Sequence, residues 1–402
     1  MAHKIAIACQ GGGTHAAFTC GVLTKILETQ KAWAVAKGPK QFDIIGISGT
    51  SAGALCALMV WYGLAPKAGN PGSTGEAIER LNYLWDIFAA RTRTEVRHNA
   101  LSWLYLRLKE LGLPLPEHNP YGVTGIAADT ALFGLVLLGA RGKYFDFKDL
   151  LDDCCPQFKE NADNIDWPKV QVRCLAGAIE VLSGNHEVFD TDLNVTPVTT
   201  VPPGWRQRRP FSLKGVMASS TLPHVLQAQR ISNLQFPYEK DANGNYKPRD
   251  GLYWDGLYSQ NPPVREFLTE PGPSGKPDEI WVIRINPQKG MRGEPQKTAD
   301  IEDRENELAG NISLNQELDF ILTVNKWAKK YKGTPFATDY QQVTVRTLKM
   351  SQATAQELLA SSKYDRSPLR IDDLRREGSQ VAEQWLSNWP NAVDEYPQDS
   401  SY

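Results

Sequence analysis

Two glycine-containing turns, each directly after a short apolar run, constrain the fold of this 402-residue chain more than any other feature. The sequence GGG at residues 11–13 follows the apolar run IAIA at 5–8. The sequence GTSAG at residues 49–53 follows the run FDIIGI at 42–47, and each turn leads into a helix-like run. Strands that alternate with helices predict an α/β fold, in which a parallel sheet is covered on both faces.

The second turn has the pattern G-x-S-x-G, which is typical of a nucleophile elbow. In such a turn Ser51 stands at the end of a strand with its hydroxyl exposed. The turn is so tight that the residues two before and two after the serine must be small, and here they are Gly49 and Gly53. Ser51 is therefore a candidate nucleophile.

The first turn offers backbone amides that no side chain shields. Gly11, Gly12 and Gly13 could approach a developing oxyanion closely and donate hydrogen bonds to it. A dinucleotide-binding loop is the alternative, but the G-x-G-x-x-G pattern fails at Ala16 and no phosphate-binding lysine follows. A nucleophile beside an anion-binding loop favours acyl transfer.

A serine nucleophile needs a base, and the position of the histidines narrows the choice. The last histidine is His224, so none follows Asp255, and the chain order serine, acid, histidine cannot use Asp255 as its acid. We predict that Asp255 is itself the base. It ends the aromatic run LYW, whose surroundings would raise its pKa, and Gly256 lets the chain turn away. His224 remains the best rival histidine.

These motifs resemble those of the patatin-like phospholipases. The family's glycine-rich loop, G-x-S-x-G and D-G pair occur here in order over about residues 4–290, as GGGTHA at 11–16, GTSAG at 49–53 and Asp255-Gly256. The resemblance implies a Ser51–Asp255 catalytic dyad, with Gly11, Gly12 and Gly13 as oxyanion donors. It also implies a three-layer α/β/α fold with a central, mostly parallel sheet.

The chain looks most similar to a bacterial subgroup that has a Q-G-G-G-x-H loop and a C-terminal extension. We therefore expect a catalytic domain over 1–290 and a mainly helical extension over 291–402 packed on it. Two departures from the family pattern stand out. His15 and Ala16 occupy positions where the family usually has Arg or Lys and then Gly, and Leu257 follows the D-G pair in place of Gly or Ala.

Composition limits the partners and the compartment that we expect. The net charge of −2 gives no general attraction to nucleic acid. The six cysteines show no C-x-x-C spacing, which favours a reducing, cytoplasmic setting with Cys9, Cys20 and Cys56 as small core residues. No secretory leader is recognisable at the N-terminus.

Two further segments bear on membranes. The apolar run at 131–140 is shorter than the roughly 20 residues that a spanning helix needs, so we expect it to pack in the core or to line an acyl pocket. The sequence WRQRR at 205–209 is expected to be a loop between prolines, either simply solvated or in contact with phosphate head groups.

The sequence thus predicts a serine acyl hydrolase of lipid or carboxylic esters that uses no metal and no organic cofactor. Its partners would be a lipid or ester substrate and, at the periphery, a membrane surface, with no nucleic acid and no transmembrane segment. A short-chain or polyester esterase on the same site is an alternative. A catalytically silent scaffold that binds a partner is the alternative from another class. Nothing in the sequence indicates an oligomeric state.

Overall fold

The computed structural model describes residues 2–36, 40–160, 162–196, 204–269, 272, 274–288 and 294–390. Its strands are β1 (His3–Cys9), β2 (Phe42–Gly49), β3 (Phe158–Lys159), β4 (Ala162–Asp163), β5 (Arg173–Glu180), β6 (His186–Asp190), β7 (Arg206–Pro210), β8 (Gln229–Leu234), β9 (Arg249–Asp255), β10 (Glu279–Arg284) and β11 (Thr344–Lys349).

Its helices are α1 (Ala17–Ala36), α2 (Ala52–Leu64), α3 (Thr74–Phe88), α4 (Arg93–Glu110), α5 (Val123–Leu137), α6 (Gly142–Phe145), α7 (Phe147–Cys154), α8 (Asp192–Val195), α9 (Leu213–Ser219), α10 (Glu266–Thr269), α11 (Thr298–Lys330), α12 (Pro335–Asp339), α13 (Gln352–Glu357) and α14 (Pro368–Asn388). Single 3₁₀ turns occupy Gly13–Ala16, Trp167–Lys169, Gly256–Tyr258 and Ala360–Tyr364.

The main sheet has the strand order β11-β10-β1-β2-β5-β6-β7. Neighbours from β11 to β5 run parallel, which confirms the predicted mostly parallel sheet. The sheet turns antiparallel at β5, which pairs with β6 along one edge and with β9 along the other. β8 continues from β9 as an antiparallel neighbour.

Side chains of β1 alternate between two separate hydrophobic clusters, as the period of a strand requires. Ile5, Ile7 and Cys9 enter the cluster that contains buried residues of α1, α2, α3 and α14. Ala6 and Ala8 enter a second cluster, which buries one stripe of α11 through Leu314, Leu318, Ile321 and Val324. Helices therefore cover both faces of the sheet, which confirms the predicted three-layer α/β/α fold.

The C-terminal region is mainly helical, as predicted, but it also contributes to the main sheet. β11 pairs in parallel with β10, so residues after 290 form one edge strand. α14 packs against α1 so closely that a Cβ on Gly378 would lie 2.0 Å from the Phe18 carbonyl oxygen, and one on Gly21 would lie 1.9 Å from that of Arg375. A domain boundary near residue 290 stays a prediction.

Two local predictions differ from the structure. The segment 206–210 is strand β7 and not a loop, because it pairs with β6. The apolar run at 131–140 lies mostly on α5, whose Phe133 and Leu137 are 67% and 73% exposed, so it is not a core segment.

The six cysteines are all buried, with free thiols. Burial raises the pKa of the Cys9, Cys20 and Cys56 thiols, which suits the predicted role as small core residues. Within the described ranges, no helix is both long and apolar enough to cross a bilayer.

Candidate active site

Ser51 lies at the sharp turn between β2 and α2. Its φ of 55° falls in the left-handed region that non-glycine residues rarely adopt, so the turn holds the serine in a strained backbone conformation. The amide of Ser51 donates to the carbonyl oxygen of Ser219 at 3.0 Å and to its hydroxyl at 3.1 Å. The end of α9 therefore fixes the backbone of the elbow from outside.

The two small residues of the elbow are required by close backbone contacts. A Cβ on Gly49 would lie 2.3 Å from the carbonyl carbon of Gly53. A Cβ on Gly53 would lie 2.3 Å from the carbonyl oxygen of Cys9, at the end of β1. Real Cβ atoms do not approach backbone this closely, so a side chain at either position would displace β1 or open the turn.

Sheet register explains why Asp255 lies near Ser51 despite the distance in sequence. β2 ends on one edge of β5, where Gly49 is paired with Ala176. The other edge is occupied by β6, so β9 takes the same edge as β2 and pairs Asp255 with Ala178, just past the end of β2. Two strands of opposite direction thus end toward each other, and both Ser51 and Asp255 line one cavity.

The carboxyl group of Asp255 is fully buried, and only one of its two oxygens accepts a hydrogen bond. Its Oδ1 accepts a hydrogen bond from the Leu257 amide at 2.8 Å. Its Oδ2 has no hydrogen-bond partner within ordinary distance among the described residues. Burial raises the pKa of Asp255 to about 7, although the nearby Ser51 hydroxyl and the Leu257 amide act in the opposite direction. The group can therefore change protonation state near neutral pH.

Gly256 gives the chain room to leave the sheet directly after Asp255. A Cβ on Gly256 would lie 2.2 Å from the carbonyl oxygen of Gly177, so only glycine fits beside β5. The Asp255 amide donates to the Thr221 carbonyl at 2.8 Å, which ties the end of β9 to the segment after α9.

The three glycines of the first turn differ in what their amides do. The Gly11 amide donates to Asn261 Oδ1 at 2.6 Å. Within the described part of the chain, no acceptor is found for the amides of Gly12 and Gly13. Gly13 has a φ of +60°, which glycine adopts without strain. All three residues line the cavity that contains Ser51.

Side-chain amides that the sequence did not point to hold this loop in place. Asn261 Oδ1 accepts a hydrogen bond from the Gly11 amide, and Asn286 Nδ2 donates one to the Gly11 carbonyl at 3.0 Å. Gln10 Oε1 accepts from the amides of Ile285 and Asn286 at 3.0 and 2.9 Å. Gln10 follows β1 directly, and its place before the glycines was the only local signal; the two asparagines lie more than 200 residues away.

The cavity at Ser51 has a volume of about 130 Å³, and a neighbouring pocket has a volume of about 680 Å³. Pro223, His224 and Tyr258 line both spaces. His224 is exposed at this rim, and its ring makes no hydrogen bond to any residue that the structure describes. Lys363 and Tyr364, which belong to the C-terminal region, also line the cavity with Ser51.

The candidate head-group cluster at 205–209 is engaged within the protein. Arg206 pairs with Glu266 at 2.6 Å and with Glu317 at 2.9 Å. Arg208 pairs with Asp190 at 2.6 Å, and Arg209 pairs with Glu187 at 2.8 Å. These guanidinium groups therefore brace β6 and β7 and are not a free basic surface.

A family model described as patatin-like phospholipase matches residues 7–268, which is more than half of the chain. The chain belongs to the patatin-like phospholipase family. The matched range contains Ser51, Asp255 and the glycine loop and ends before β10, β11 and α14. Family membership supports a lipid acyl hydrolase in general terms; membership of the bacterial subgroup stays a prediction.

The solved structures that match the chain are distant from it. VipD from Legionella pneumophila matches at 11% identity and a TM-score of 0.33, over 95% of this chain and 67% of VipD. The type III effector ExoU matches at 14% identity and a TM-score of 0.29, over 95% of this chain and 53% of ExoU. The chain thus spans about half the length of ExoU. Scores this low support no functional argument, and no curated protein matches the chain.

Proposed function

We propose that this protein is a serine acyl hydrolase of lipid or carboxylic esters, with Ser51 as nucleophile and Asp255 as base. The observation that carries the proposal is the unpartnered, fully buried Oδ2 of Asp255, which shares a cavity with Ser51. A buried carboxyl oxygen without a hydrogen-bond partner is costly, so its retention beside the half-buried elbow serine favours a chemical role.

In the proposed reaction, the Ser51 hydroxyl oxygen attacks the ester carbonyl carbon while Asp255 Oδ2 accepts the hydroxyl proton. The carbon–oxygen bond to the alcohol then breaks, and the alcohol leaves with the proton from Asp255. Water next attacks the acyl-enzyme, gives its proton to Asp255, and releases the carboxylic acid as the proton returns to Ser51. The pKa of about 7 lets Asp255 serve in both directions.

The negative charge that develops on the carbonyl oxygen needs donors that are already in place. The amides of Gly12 and Gly13 suit this role, because they line the cavity and no acceptor for them is found in the described part of the chain. The Gly11 amide is engaged by Asn261, so in this proposal Gly11 fixes the shape of the loop. No metal or organic cofactor takes part.

A triad with His224 is the rival mechanism. The imidazole would have to take the proton from Ser51, and an acid would have to orient it. In the described residues, no carboxylate pairs with His224, and its ring is exposed at the cavity rim. These observations favour the dyad.

The size of the pockets bears on which class of ester is the substrate. The pocket of about 680 Å³ that shares Pro223, His224 and Tyr258 with the cavity of Ser51 has room for an acyl chain, which favours lipid esters over short-chain or polymeric ones. We include peripheral contact with a membrane surface in the proposal, because a lipid hydrolase must meet its substrate at an interface. The buried thiols suit a reducing, cytoplasmic setting.

The test is hydrolysis of p-nitrophenyl esters of increasing chain length and of phospholipids by the wild type and by Ser51→Ala. Loss of all ester hydrolysis in the variant, with unchanged melting, would support the proposal. A fluorophosphonate probe separates an enzyme from a silent scaffold, since only an activated serine is labelled. No labelling of Ser51 and no hydrolysis of any ester would favour the scaffold.

A further inference from the structure

The 3₁₀ turn before α14, Ala360–Tyr364, contacts the residues that follow the glycine loop at 11–13. Thr14 Oγ1 donates to the Ser362 carbonyl at 2.7 Å, and His15 Nε2 lies 2.8 Å from the Ser362 hydroxyl oxygen. The turn lies outside the matched family range, and 347 residues separate His15 from Ser362. The C-terminal region is therefore bonded directly to the end of the loop.

Hydrogen bonding determines which of the two side chains is the donor. The Ser362 hydroxyl has a single proton, and it donates this proton to the Leu359 carbonyl at 2.6 Å. The same oxygen accepts a hydrogen bond from the Leu359 amide at 2.9 Å. Its remaining lone pair can only accept, so His15 must carry a proton on Nε2 and donate it to Ser362.

The contact between the loop and the turn is buried in the protein interior. Thr14, His15 and Ser362 are all nearly fully buried. Water therefore does not compete for the bond from His15 Nε2–H to Ser362 Oγ, and the low local dielectric strengthens it. Removal of Ser362 Oγ would take away the acceptor of a buried N–H group, so the residues after the loop would have to shift to compensate.

The backbone of the turn also limits where the loop can lie. A Cβ on Gly13 would lie 2.4 Å from the Lys363 carbonyl oxygen and 3.1 Å from the Lys363 Cβ. The last residue of the loop can therefore approach the turn only because it has no side chain. Lys363 and Tyr364 also line the cavity of Ser51, so the turn lies against both the loop and the cavity.

The glycine loop is thus held at both of its ends. The amide and carbonyl of Gly11, its first residue, bond to Asn261 at 2.6 Å and to Asn286 at 3.0 Å. The contacts with Ser362 come directly after its last residue. The two amides that we propose as oxyanion donors lie between these points. Because glycine is the most permissive residue in its backbone conformation, both points are needed to fix the direction of these amides.

The turn is a fixed support, because it is bonded to two long helices. The Ser361 amide donates to Glu110 of α4 at 2.7 Å. Lys363 pairs with Asp303 of α11 at 2.9 Å. Since one stripe of α11 is buried against the main sheet, the position of the turn is fixed relative to that sheet.

The chain directly after the turn is anchored as well. Arg366 donates to the carbonyl oxygens of Phe88 and Tyr144, both at 2.7 Å. The Arg366 amide donates to Asn99 Oδ1 at 2.8 Å, and Asn99 Nδ2 donates to Asp365 Oδ1 at 2.9 Å. With support on both sides of Ser362, its bond to His15 restrains the glycine loop.

We propose that His15 and Ser362 are positioning residues, whose hydrogen bond keeps the amides of Gly12 and Gly13 directed at the oxyanion. This inference rests on the proposed function. Neither His15 nor Ser362 is among the residues that line the cavity of Ser51, so their effect on the reaction passes through the loop.

The first test is steady-state kinetics of His15→Leu and Ser362→Ala on a soluble p-nitrophenyl ester. Each variant should lower kcat about ten- to hundredfold and leave KM nearly unchanged. The loss falls on kcat because the oxyanion exists only along the reaction path, and a displaced donor no longer reaches it. A change in KM with normal kcat would overturn the positioning role.

A pair of conservative variants separates the donor from the bulk of the imidazole ring. In His15→Gln the amide nitrogen is as many bonds from Cα as Nε2, so it can donate to Ser362 Oγ and should recover much of the rate. In His15→Asn the nitrogen is one bond closer to the backbone, so this variant should stay slow. Equal rates in the two variants would contradict a role for the Nε2–H donor.

Ser361→Ala is the matched control, because it makes the same change one position away in the same buried turn. The Ser361 hydroxyl has no hydrogen-bond partner among the described residues, so its removal should leave kcat near the wild-type value. Circular dichroism and the melting temperature show whether each variant is folded. If Ser362→Ala does not fold, the comparison of His15→Gln with His15→Asn decides the question. An equal loss of kcat in Ser361→Ala would overturn the proposal.

A trifluoromethyl ketone inhibitor reports on the oxyanion directly. Ser51 Oγ would add to its carbonyl carbon, the carbonyl oxygen would become the oxyanion, and the hydroxyl proton would pass to Asp255. Across the His15 and Ser362 variants, the inhibition constant should rise in parallel with the fall in kcat/KM, as expected for an analogue of the transition state. An unchanged inhibition constant in slow variants would mean that the loop amides have kept their direction, and would overturn the proposal.

The double variant His15→Leu/Ser362→Ala should be no slower than the slower of the two single variants, since both changes remove one interaction. Losses that multiply would show that the two residues act independently, and would overturn the proposal.

The failure of the proposed function is seen separately. If Ser51→Ala hydrolysed the soluble ester as fast as the wild type, the proposed function would fail. If Ser51→Ala were inactive while His15→Leu and Ser362→Ala kept the wild-type kcat, only the positioning role would be overturned.

Discussion

Asp255 and Ser51 reach one cavity from the ends of two strands that share an edge of β5. β2 runs parallel to β5 and ends at the elbow, whereas β9 runs antiparallel and ends just past it. The serine is thus presented by a strained turn and the carboxylate by a strand end. Neither group depends on a mobile loop, which favours a preformed dyad.

The elbow makes a prediction about stability as well as activity. Ser51→Ala and Ser51→Gly should both lower ester hydrolysis by at least about 10³-fold, because the nucleophile is removed. Ser51→Gly should melt at a higher temperature than Ser51→Ala, since glycine relieves the φ of 55°. Calorimetry of the two variants measures the difference. Equal or reversed melting temperatures would contradict a strained elbow.

Removal of the proposed base should be nearly as damaging as removal of the nucleophile. We expect Asp255→Asn to lower kcat by about 10³-fold or more, whereas His224→Ala and His186→Ala should have mild effects. The amide cannot accept the proton of Ser51, but it preserves the shape of the carboxyl group. A loss in His224→Ala that equals the loss in Ser51→Ala would replace the dyad by a triad.

The pH dependence of activity should report the Asp255 carboxyl. Because its pKa is raised to about 7, kcat/KM for a soluble ester should fall as the pH is lowered through neutrality, when the base becomes protonated. A plot of log(kcat/KM) against pH should approach a slope of one on the acid side, because a single proton binds. A profile that stays flat down to about pH 5 would mean that Asp255 keeps the ordinary carboxyl pKa of Asp, about 3.9, and would remove the support that burial gives to its role.

The chemical motifs were predictable because each is local. Each motif occupies a few adjacent residues, as in G-x-S-x-G, the triglycine and Asp255-Gly256. The small residues in each motif by themselves indicate a tight turn. Asn261, Asn286 and Ser362 were not predictable, since their bonds to the loop span 250, 275 and 347 residues. The prediction that the apolar run at 131–140 packs in the core was wrong for a related reason. Burial depends on a packing partner, and no local sequence pattern shows whether one exists.

Both departures from the family motifs acquire a structural explanation in the C-terminal region. His15 contacts Ser362, and Leu257 lies against α11, where a Cβ on Gly310 would be 2.8 Å from Leu257 Cδ1. Both residues thus contact the segment outside the matched range. In this chain the C-terminal region packs directly against the residue after the glycine loop and the residue after Asp255-Gly256.

The buried carboxyl also predicts an unusual dependence of stability on pH. The folded protein binds the Asp255 proton below about pH 7, whereas an unfolded Asp carboxyl binds it only below its ordinary pKa of about 3.9. Between these values the folded state holds more protons, so this group lowers the free energy of unfolding as the pH rises. Asp255→Asn should therefore melt above the wild type at pH 8, with the difference shrinking toward pH 5. A variant that is less stable at pH 8 would contradict the raised pKa.

The oxyanion assignment predicts a specific kinetic signature for the glycine loop. Gly12→Ala would place a Cβ 2.8 Å from Ile285 Cδ1, a flexible side-chain end that can move, so the fold should survive. Gly13→Ala meets the Lys363 carbonyl oxygen at 2.4 Å and has a φ of +60°, so its loop should be displaced. Both variants should lower kcat more than they raise KM, since the oxyanion exists only along the reaction path. Complete loss of one hydrogen-bond donor costs about 3 kcal/mol, which corresponds to a decrease in kcat of about 10²-fold, and Gly13→Ala should approach that decrease.

Thr14→Val is the control, because it removes the bond to Ser362 but no loop amide, and it should have the smaller effect on kcat. Variants that bind substrate poorly yet turn it over at the normal rate would make the loop a binding element, and the oxyanion role would have to be assigned elsewhere.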